Sequence, residues 1–239
     1  MGDREGTFNG SAVRQYAGSG VQEPPNARTL EPPNAGMGEG VTHKGKPVHQ
    51  QDHGRRGGRH DFFGYGEDIR TALRRRLPRR RVRALDVGTG FGRNAVFLAR
   101  HLSPGSHVWS VDPSEDSLRQ GAEAVRKAGL ESVVSLLPGV ADHLPFGDRE
   151  FHLTMAVMIF HHLVEVPPAL REMARVTRIG GKLLLVDWGP TAHLLPFAIE
   201  HRAEDFFTPH AIETMLREIG LYPTVEQHPM WYMIEAVKK

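Results

Sequence analysis

The most constraining feature of the sequence is an alternation that begins near residue 81. RVRALDV (81–87), HVWSVD (107–112), SVVSLL (132–137), LTMAVMI (153–159) and GKLLLVDW (181–188) are apolar runs of strand length. Between them lie segments with apolar residues at helical spacing. One follows Ser114 as N-cap, with Glu115 and Asp116 in its first turn, Arg126 and Lys127 in its last, then Gly129. Its Leu118, Ala122 and Val125 share a face, as do Leu170, Met173 and Ala174 in a helix over 167–176. A further helix is expected over 67–77 and another over 94–102. Strands separated by helical crossovers pair in parallel, and a parallel sheet needs cover on both faces.

The pattern changes after a helix that opens at Thr208 and Pro209. Two strands near 222–228 and 231–237 are separated by only a few residues around Pro229. That is hairpin spacing, so the last strand runs antiparallel. The expected fold is α/β: a Rossmann-like, doubly wound sheet of seven strands, mostly parallel, with an antiparallel C-terminal strand.

Residues 1–60 have a different composition. They hold 12 of the 26 glycines and five Val, Leu or Ile residues, too few to offset the entropy of ordering. EPPNA occurs at 23–27 and again at 31–35, two copies that are too short and too few for a solenoid. A flexible tail over 1–60 and a single domain over 61–239 are expected.

The chemistry is expected where the first strand ends, in ALDVGTGFGRNA (84–95). In a doubly wound sheet, ligands bind beyond the carboxyl ends of the strands, where the strand order reverses. Gly88, Gly90 and Gly92 sit there, and Asp112 ends the second strand, where an acidic side chain can bind ribose hydroxyls. A dinucleotide fingerprint, G-x-G-x-x-G, would place its third glycine at 93, which is arginine. Asp86 also lies just before the loop; a carboxylate there repels a pyrophosphate and attracts an ammonium group. A nucleoside cofactor with an amino-acid amine and no phosphate fits better, and S-adenosylmethionine is that molecule.

D-V-G-T-G-F-G resembles the first motif of the class I S-adenosylmethionine-dependent methyltransferases, and the resemblance continues over roughly 80–239. VDPS (111–114) is similar to their second motif, GVADHLPFGDREF (139–151) to the stretch between strands three and four. MIFHHL (158–163) and ALREMARVTRIGGKLLLVDW (169–188) are similar to the fourth- and fifth-strand regions. The resemblance implies cofactor binding by Asp86, Gly88, Thr89, Gly90, Asp112, Pro113, Ala141, Asp142 and Val157. The glycine loop would approach the methionine portion, and the segment near Asp142 would border the adenine. Relatives usually carry an acidic residue directly before the alanine of that segment; here it is Val140, and Asp142 stands two residues on.

The reaction implied is transfer of the sulfonium methyl to a nucleophile. The donor is already activated, so proximity, alignment and desolvation do most of the work, with optional proton removal. His161 and His162, just beyond the fourth strand, are the candidate bases. The chain has no cysteine, which excludes disulfides, cysteine-ligated metals and a covalent thiol adduct on a pyrimidine. Four of its 14 histidines fall within 1–60, and the others form no recognised ligand spacing, so no metal is expected. No Asn/Asp-Pro-Pro-aromatic motif follows the fourth strand, which disfavours nucleobase amino groups as acceptors. A small-molecule acceptor is expected. The alternatives are an RNA or protein methyltransferase, a nucleotide-dependent oxidoreductase, and a cofactor-binding protein without catalysis. The arginine cluster RRRLPRRRVR (74–83) reads as a solvated helix end and loop, since no aromatics interleave it. With no apolar run of membrane-spanning length and no signal-peptide core at the N-terminus, the expected compartment is the cytoplasm.

Overall fold

The computed structural model describes residues 65–194 and 206–239; the tail expected over 1–60 lies outside them. Helix α1 (Tyr65–Arg76) leads into β1 (Arg83–Val87), and then come α2 (Arg93–His101), β2 (His107–Asp112), α3 (Glu115–Ala128) and β3 (Val134–Pro138). The second half contains β4 (Phe151–Val157), α4 (Val166–Val176), β5 (Thr177–Trp188), α5 (Pro209–Glu218), β6 (Tyr222–Gln227) and β7 (Trp231–Val237). The seven strands form one sheet in the order β3-β2-β1-β4-β5-β7-β6. All pairings among β1 to β5 are parallel, and β7 runs antiparallel to both β5 and β6. The order reverses at β1, whose successors in the chain lie on one side of it and β4 and β5 on the other. A crevice therefore opens between the carboxyl ends of β1 and β4.

Apolar residues alternate between the two faces of the sheet. Leu85, Leu183, Leu185 and Ile234 join one buried cluster, with Leu170 and Met173 of α4 and Ile212 and Leu216 of α5. Ala84, Leu153, Leu184 and Met233 join the other, with Leu98 of α2 and Leu73 of α1. Adjacent residues of one strand thus serve opposite layers, as period-two geometry requires. The helix ends follow local chemistry. Ser114 Oγ accepts from Ser117 N, Thr208 Oγ1 accepts from Ala211 N, and Gly129 closes α3 at a φ of 68°.

One strand differs from the expectation. β5 begins at Thr177, not Gly181, because 177–181 continues the strand as a bulge. Phe151 pairs with Thr177, whereas Leu153 pairs with Lys182. Gly180 adopts a φ of 70°, and a Cβ on Gly181 would lie 2.7 Å from the Arg178 carbonyl oxygen. The chain end secures this bulge: Lys238 N donates to Gly181 O, and Gly180 N donates to Lys238 O. Lys238 Nζ donates to Ala174 O and Thr177 O, carbonyls at the end of α4. Replacing Lys238 by Met keeps the aliphatic stem but removes these donors. We expect a loss of about 1–2 kcal/mol in chemical denaturation, with the denaturant slope unchanged.

Candidate functional site

At the end of β1 the chain turns through Gly88, Thr89 and Gly90. Gly88 N and Thr89 N both donate to Val111 O of β2, at 2.8 and 3.1 Å. The three glycines have positive φ, but for different reasons. A Cβ on Gly88 would lie 2.5 Å from Ile159 Cγ2, and one on Gly92 would lie 2.8 Å from Gly121 Cα. Both are therefore needed by the fold, Gly88 against the loop after β4 and Gly92 against α3. A Cβ on Gly90 would meet nothing within 4 Å. Its side faces open space, and it is here that an external molecule can reach the backbone.

Two carboxylates flank that opening. Asp112 Oδ2 accepts from Gly90 N and Oδ1 from Ser114 N, each at 2.9 Å, so this side chain ties the glycine loop to the start of α3. Each oxygen keeps further acceptor capacity, suited to a pair of vicinal hydroxyls. Asp86 is fully buried, and its Oδ2 accepts from Ser110 Oγ at 2.8 Å. Because Ser110 donates there, Thr89 Oγ1 must donate to Ser110 Oγ, 2.8 Å away, which gives a one-directional relay Thr89 to Ser110 to Asp86. Asp86 Oδ1 is buried with no hydrogen-bond partner. Burial pushes this carboxyl up to about 8; the Ser110 bond opposes the shift and the nearby Asp112 charge adds to it. The donor set lacks a cation at Asp86 and leaves one carboxylate oxygen unmet, which fits a ligand ammonium group.

The remaining sites expected from sequence occupy the rim. Pro113 and Asp142 are exposed, and Ala141 is half-buried against the core. The 138–151 segment holding them is anchored by residues that sequence reasoning did not single out. Arg175 donates to Phe146 O and Leu144 O, and Glu172 accepts from Leu144 N. The motif matched 139–151, but the anchors lie one helix later, and nothing local to them marks the pairing. Val157 ends β4 partly buried, and the next residue, Met158, has a φ of 59°.

Beyond β4, a 3-10 turn over Phe160–His162 holds both candidate histidines, their ring centroids 4.0 Å apart. His162 is exposed. His161 Nδ1 lies 2.6 Å from Asp187 Oδ1, and both side chains are almost fully buried. Asp187 also accepts from Phe160 N and Trp188 N, so its carboxylate is pinned by backbone donors. A pinned acceptor fixes the Nδ1–H tautomer of His161 and leaves Nε2 as its lone-pair nitrogen. The sequence places Asp187, like His161 and His162, at a strand end where they could converge; the 2.6 Å pairing is what the packed sheet adds. Tyr232, across the sheet from Asp187, has a buried hydroxyl without a partner, and burial followed by the Asp187 charge pushes its ionisation upward.

Among the described residues no His/Cys/Asp/Glu group could hold a metal ion, and no helix is long and apolar enough to cross a membrane. A cavity of about 650 Å³ opens beside Phe91 and α3, but its lining includes neither Asp86 nor Asp112.

Two outcomes separate structure from binding here. Gly92→Ala forces a backbone clash and should lower thermal stability clearly, whereas Gly90→Ala should cost only about 1–2 kcal/mol of left-handed strain. A calorimetric melt of both variants checks this. Asp86 supplies the second outcome. Its folded carboxyl titrates near 8 against an ordinary 3.8, so the folded state holds a proton that the unfolded state has lost. The wild-type stability should therefore fall as pH rises between those values. Asp86→Asn should abolish that part of the slope in denaturation measured at successive pH values.

Comparison with known proteins follows the same lines. Residues 85–185 match the family model described as a methyltransferase domain. A methyltransferase of Streptomyces halstedii, GfsG, is 38% identical over 105 residues, covering 44% of this chain and 37% of that one. A demethylmenaquinone methyltransferase of Listeria welshimeri is 35% identical over 103 residues, 43% of each chain. The chain thus spans less than half the length of these relatives. The crystal structure of an S-adenosylmethionine-dependent methyltransferase from Aquifex aeolicus superposes with a TM-score of 0.61 at 23% identity. It covers 71% of this chain and 88% of that one.

Proposed function

We propose that this protein, whose residues 85–185 match the family model described as a methyltransferase domain, is a class I enzyme that transfers a methyl group from S-adenosylmethionine to a small-molecule acceptor. The observation that carries the reading is the buried, half-satisfied carboxylate of Asp86 beside the one loop glycine that opens onto free space.

When bound, S-adenosylmethionine supplies an activated methyl on a sulfonium. The chain's residues do the rest. Asp86 Oδ1 receives the ammonium of the methionine portion, and Gly88, Thr89 and Gly90 let that portion lie against the backbone. Asp112, already held by two amides, accepts from the ribose hydroxyls, with Pro113 beside it. Ala141 and Asp142 border the adenine, held in place by Glu172 and Arg175. Val157 closes the crevice from the β4 side. His161 Nε2 takes a proton from the acceptor, while Asp187 steadies the imidazole and the positive charge that forms on it. His162, exposed one residue further on, lines the entry for the acceptor.

A small acceptor is favoured over RNA or protein because the proposed base is almost wholly enclosed. A relative named for a quinone-type substrate, demethylmenaquinone, supports the same class. Against an oxidoreductase, Arg93 stands where a dinucleotide fingerprint has its third glycine. Calorimetry with S-adenosylmethionine, S-adenosylhomocysteine and nicotinamide cofactors tests the reading. Binding of only the nicotinamide forms would overturn it.

Pairing with an ammonium requires Asp86 to ionise, so binding expels a proton below about pH 8. The affinity for S-adenosylmethionine should rise by up to about tenfold per pH unit below that value and then level off. Asp86→Asn should bind weakly with no such slope. Once an acceptor is in hand, His161→Ala should lower kcat by about 10²–10⁴-fold and leave cofactor affinity intact. Near-normal turnover would leave proximity as the whole mechanism.

A further inference from the structure

The opposite edge of the sheet, where the strands begin, carries a concentration of donors that the methyl-transfer site does not use. Arg83 opens β1 beside His107, which opens β2, and the register Ala84 with Leu153 puts His152 of β4 next to Arg83. Arg178 reaches the same place from the β5 bulge. A cavity of about 350 Å³ lies here, lined by Arg81, Arg83, His107, Trp109 and His152 among others, with no carboxylate in its wall.

The hydrogen bonding at this edge is incomplete in one direction only. Arg83 N donates to His152 Nδ1 at 3.1 Å, so the ring proton of His152 must sit on Nε2. Arg178 Nη1 lies 2.8 Å from that same Nε2. A neutral imidazole has one acceptor nitrogen, so His152 cannot accept from both Arg83 N and Arg178, and one donor here lacks an acceptor. Arg83 repeats the pattern. Its Nη2 donates to Glu150 and its guanidinium lies 4.3 Å over Trp109, yet its Nε is buried without a partner. Glu150, whose other oxygen accepts from Gly147 N, does not reach that Nε.

We propose that this edge is a second binding site, for a small molecule ending in a phosphate group, held by Arg83, His152 and Arg178 with Arg81 at the rim. Phosphate supplies three acceptor oxygens and close to two negative charges, enough for donors converging from β1, β4 and β5. Arginine forks suit its geometry. The cavity has small-ligand dimensions rather than those of a nucleic-acid track.

The charged groups facing the two imidazoles are Arg80, Arg81, Arg83, Arg178 and the single acid Glu150. Burial, then the arginines, holds His152 and His107 below the ordinary imidazole value. A bound dianion offsets the arginines, so both rings should titrate higher in its presence.

The test is an NMR titration of the histidine ring signals of the full chain with inorganic phosphate at constant ionic strength. Chloride serves as control, and His107→Asn and His152→Asn assign the two signals. Saturable shifts of both, absent with chloride, support the site. Arg178→Gln, an exposed position, should weaken phosphate by about ten- to a hundredfold, and Arg81→Gln by less, with unchanged melting and S-adenosylmethionine affinity. Shifts that chloride reproduces, or phosphate affinity indifferent to both substitutions, would overturn the proposal. So would a single-stranded RNA that binds with a steep salt dependence, flattened by these variants, while phosphate fails to saturate.

Discussion

A carboxylate buried without its counter-charge governs the active end of this molecule. Asp86 is the fourth residue of a central strand, so nearly every neighbour is backbone or hydrocarbon. The fold supplies Ser110 and, behind it, Thr89, but leaves Oδ1 unmet. Such a group is relieved by taking up a proton, or by a cation brought from outside. The relay also connects the glycine loop to β2, so the loop's shape and the carboxylate's environment are one arrangement.

Around that carboxylate the loop is over-determined. Gly88 leaves room for Ile159, Gly92 leaves room for Gly121, and Asp112 holds the amides of Gly90 and Ser114. Those contacts come from three different segments, which explains how a loop can stay open at Gly90 without collapsing. The carboxylate–imidazole pair on the same edge, Asp187 with His161, follows the same rule. A polar side chain at a strand end is fixed by backbone donors and then fixes a second side chain.

The two edges of the sheet have opposite needs. At the carboxyl ends of the strands, acceptors outnumber donors, at Asp86, Asp112 and Asp187. At the amino ends, donors outnumber acceptors, at Arg83, His152 and Arg178. Parallel strands make this separation possible, because every strand presents the same end to the same edge. The buried layers between them, Leu85 and Leu183 on one face and Ala84 and Leu184 on the other, keep the two sets of charges apart.

Much of this was legible in the sequence. Strand and helix alternation, the Ser114 and Thr208 caps, the hairpin around Pro229 and the positions of Asp86, Asp112 and the glycines are local signals, set by side-chain period and turn chemistry. The beginning of β5 was not, because Arg178–Gly181 has turn composition and stays in the sheet only through its pairing with the chain end. Which glycine faces a ligand was not legible either: three residues of the same type differ only in what lies opposite them. The same holds for Asp187 beside His161, Arg175 beneath the 139–151 segment, and the facing donors of Arg178 and His152. Each pairs residues of separate elements, and only the packed sheet decides that they meet. The arginine cluster read as solvated surface, and Arg74, Arg75, Arg79, Arg80 and Arg81 are exposed; Arg76 and Arg83 are half-buried beside acids of other elements. Sequence counts charges, whereas tertiary structure decides whether an acceptor stands beside them.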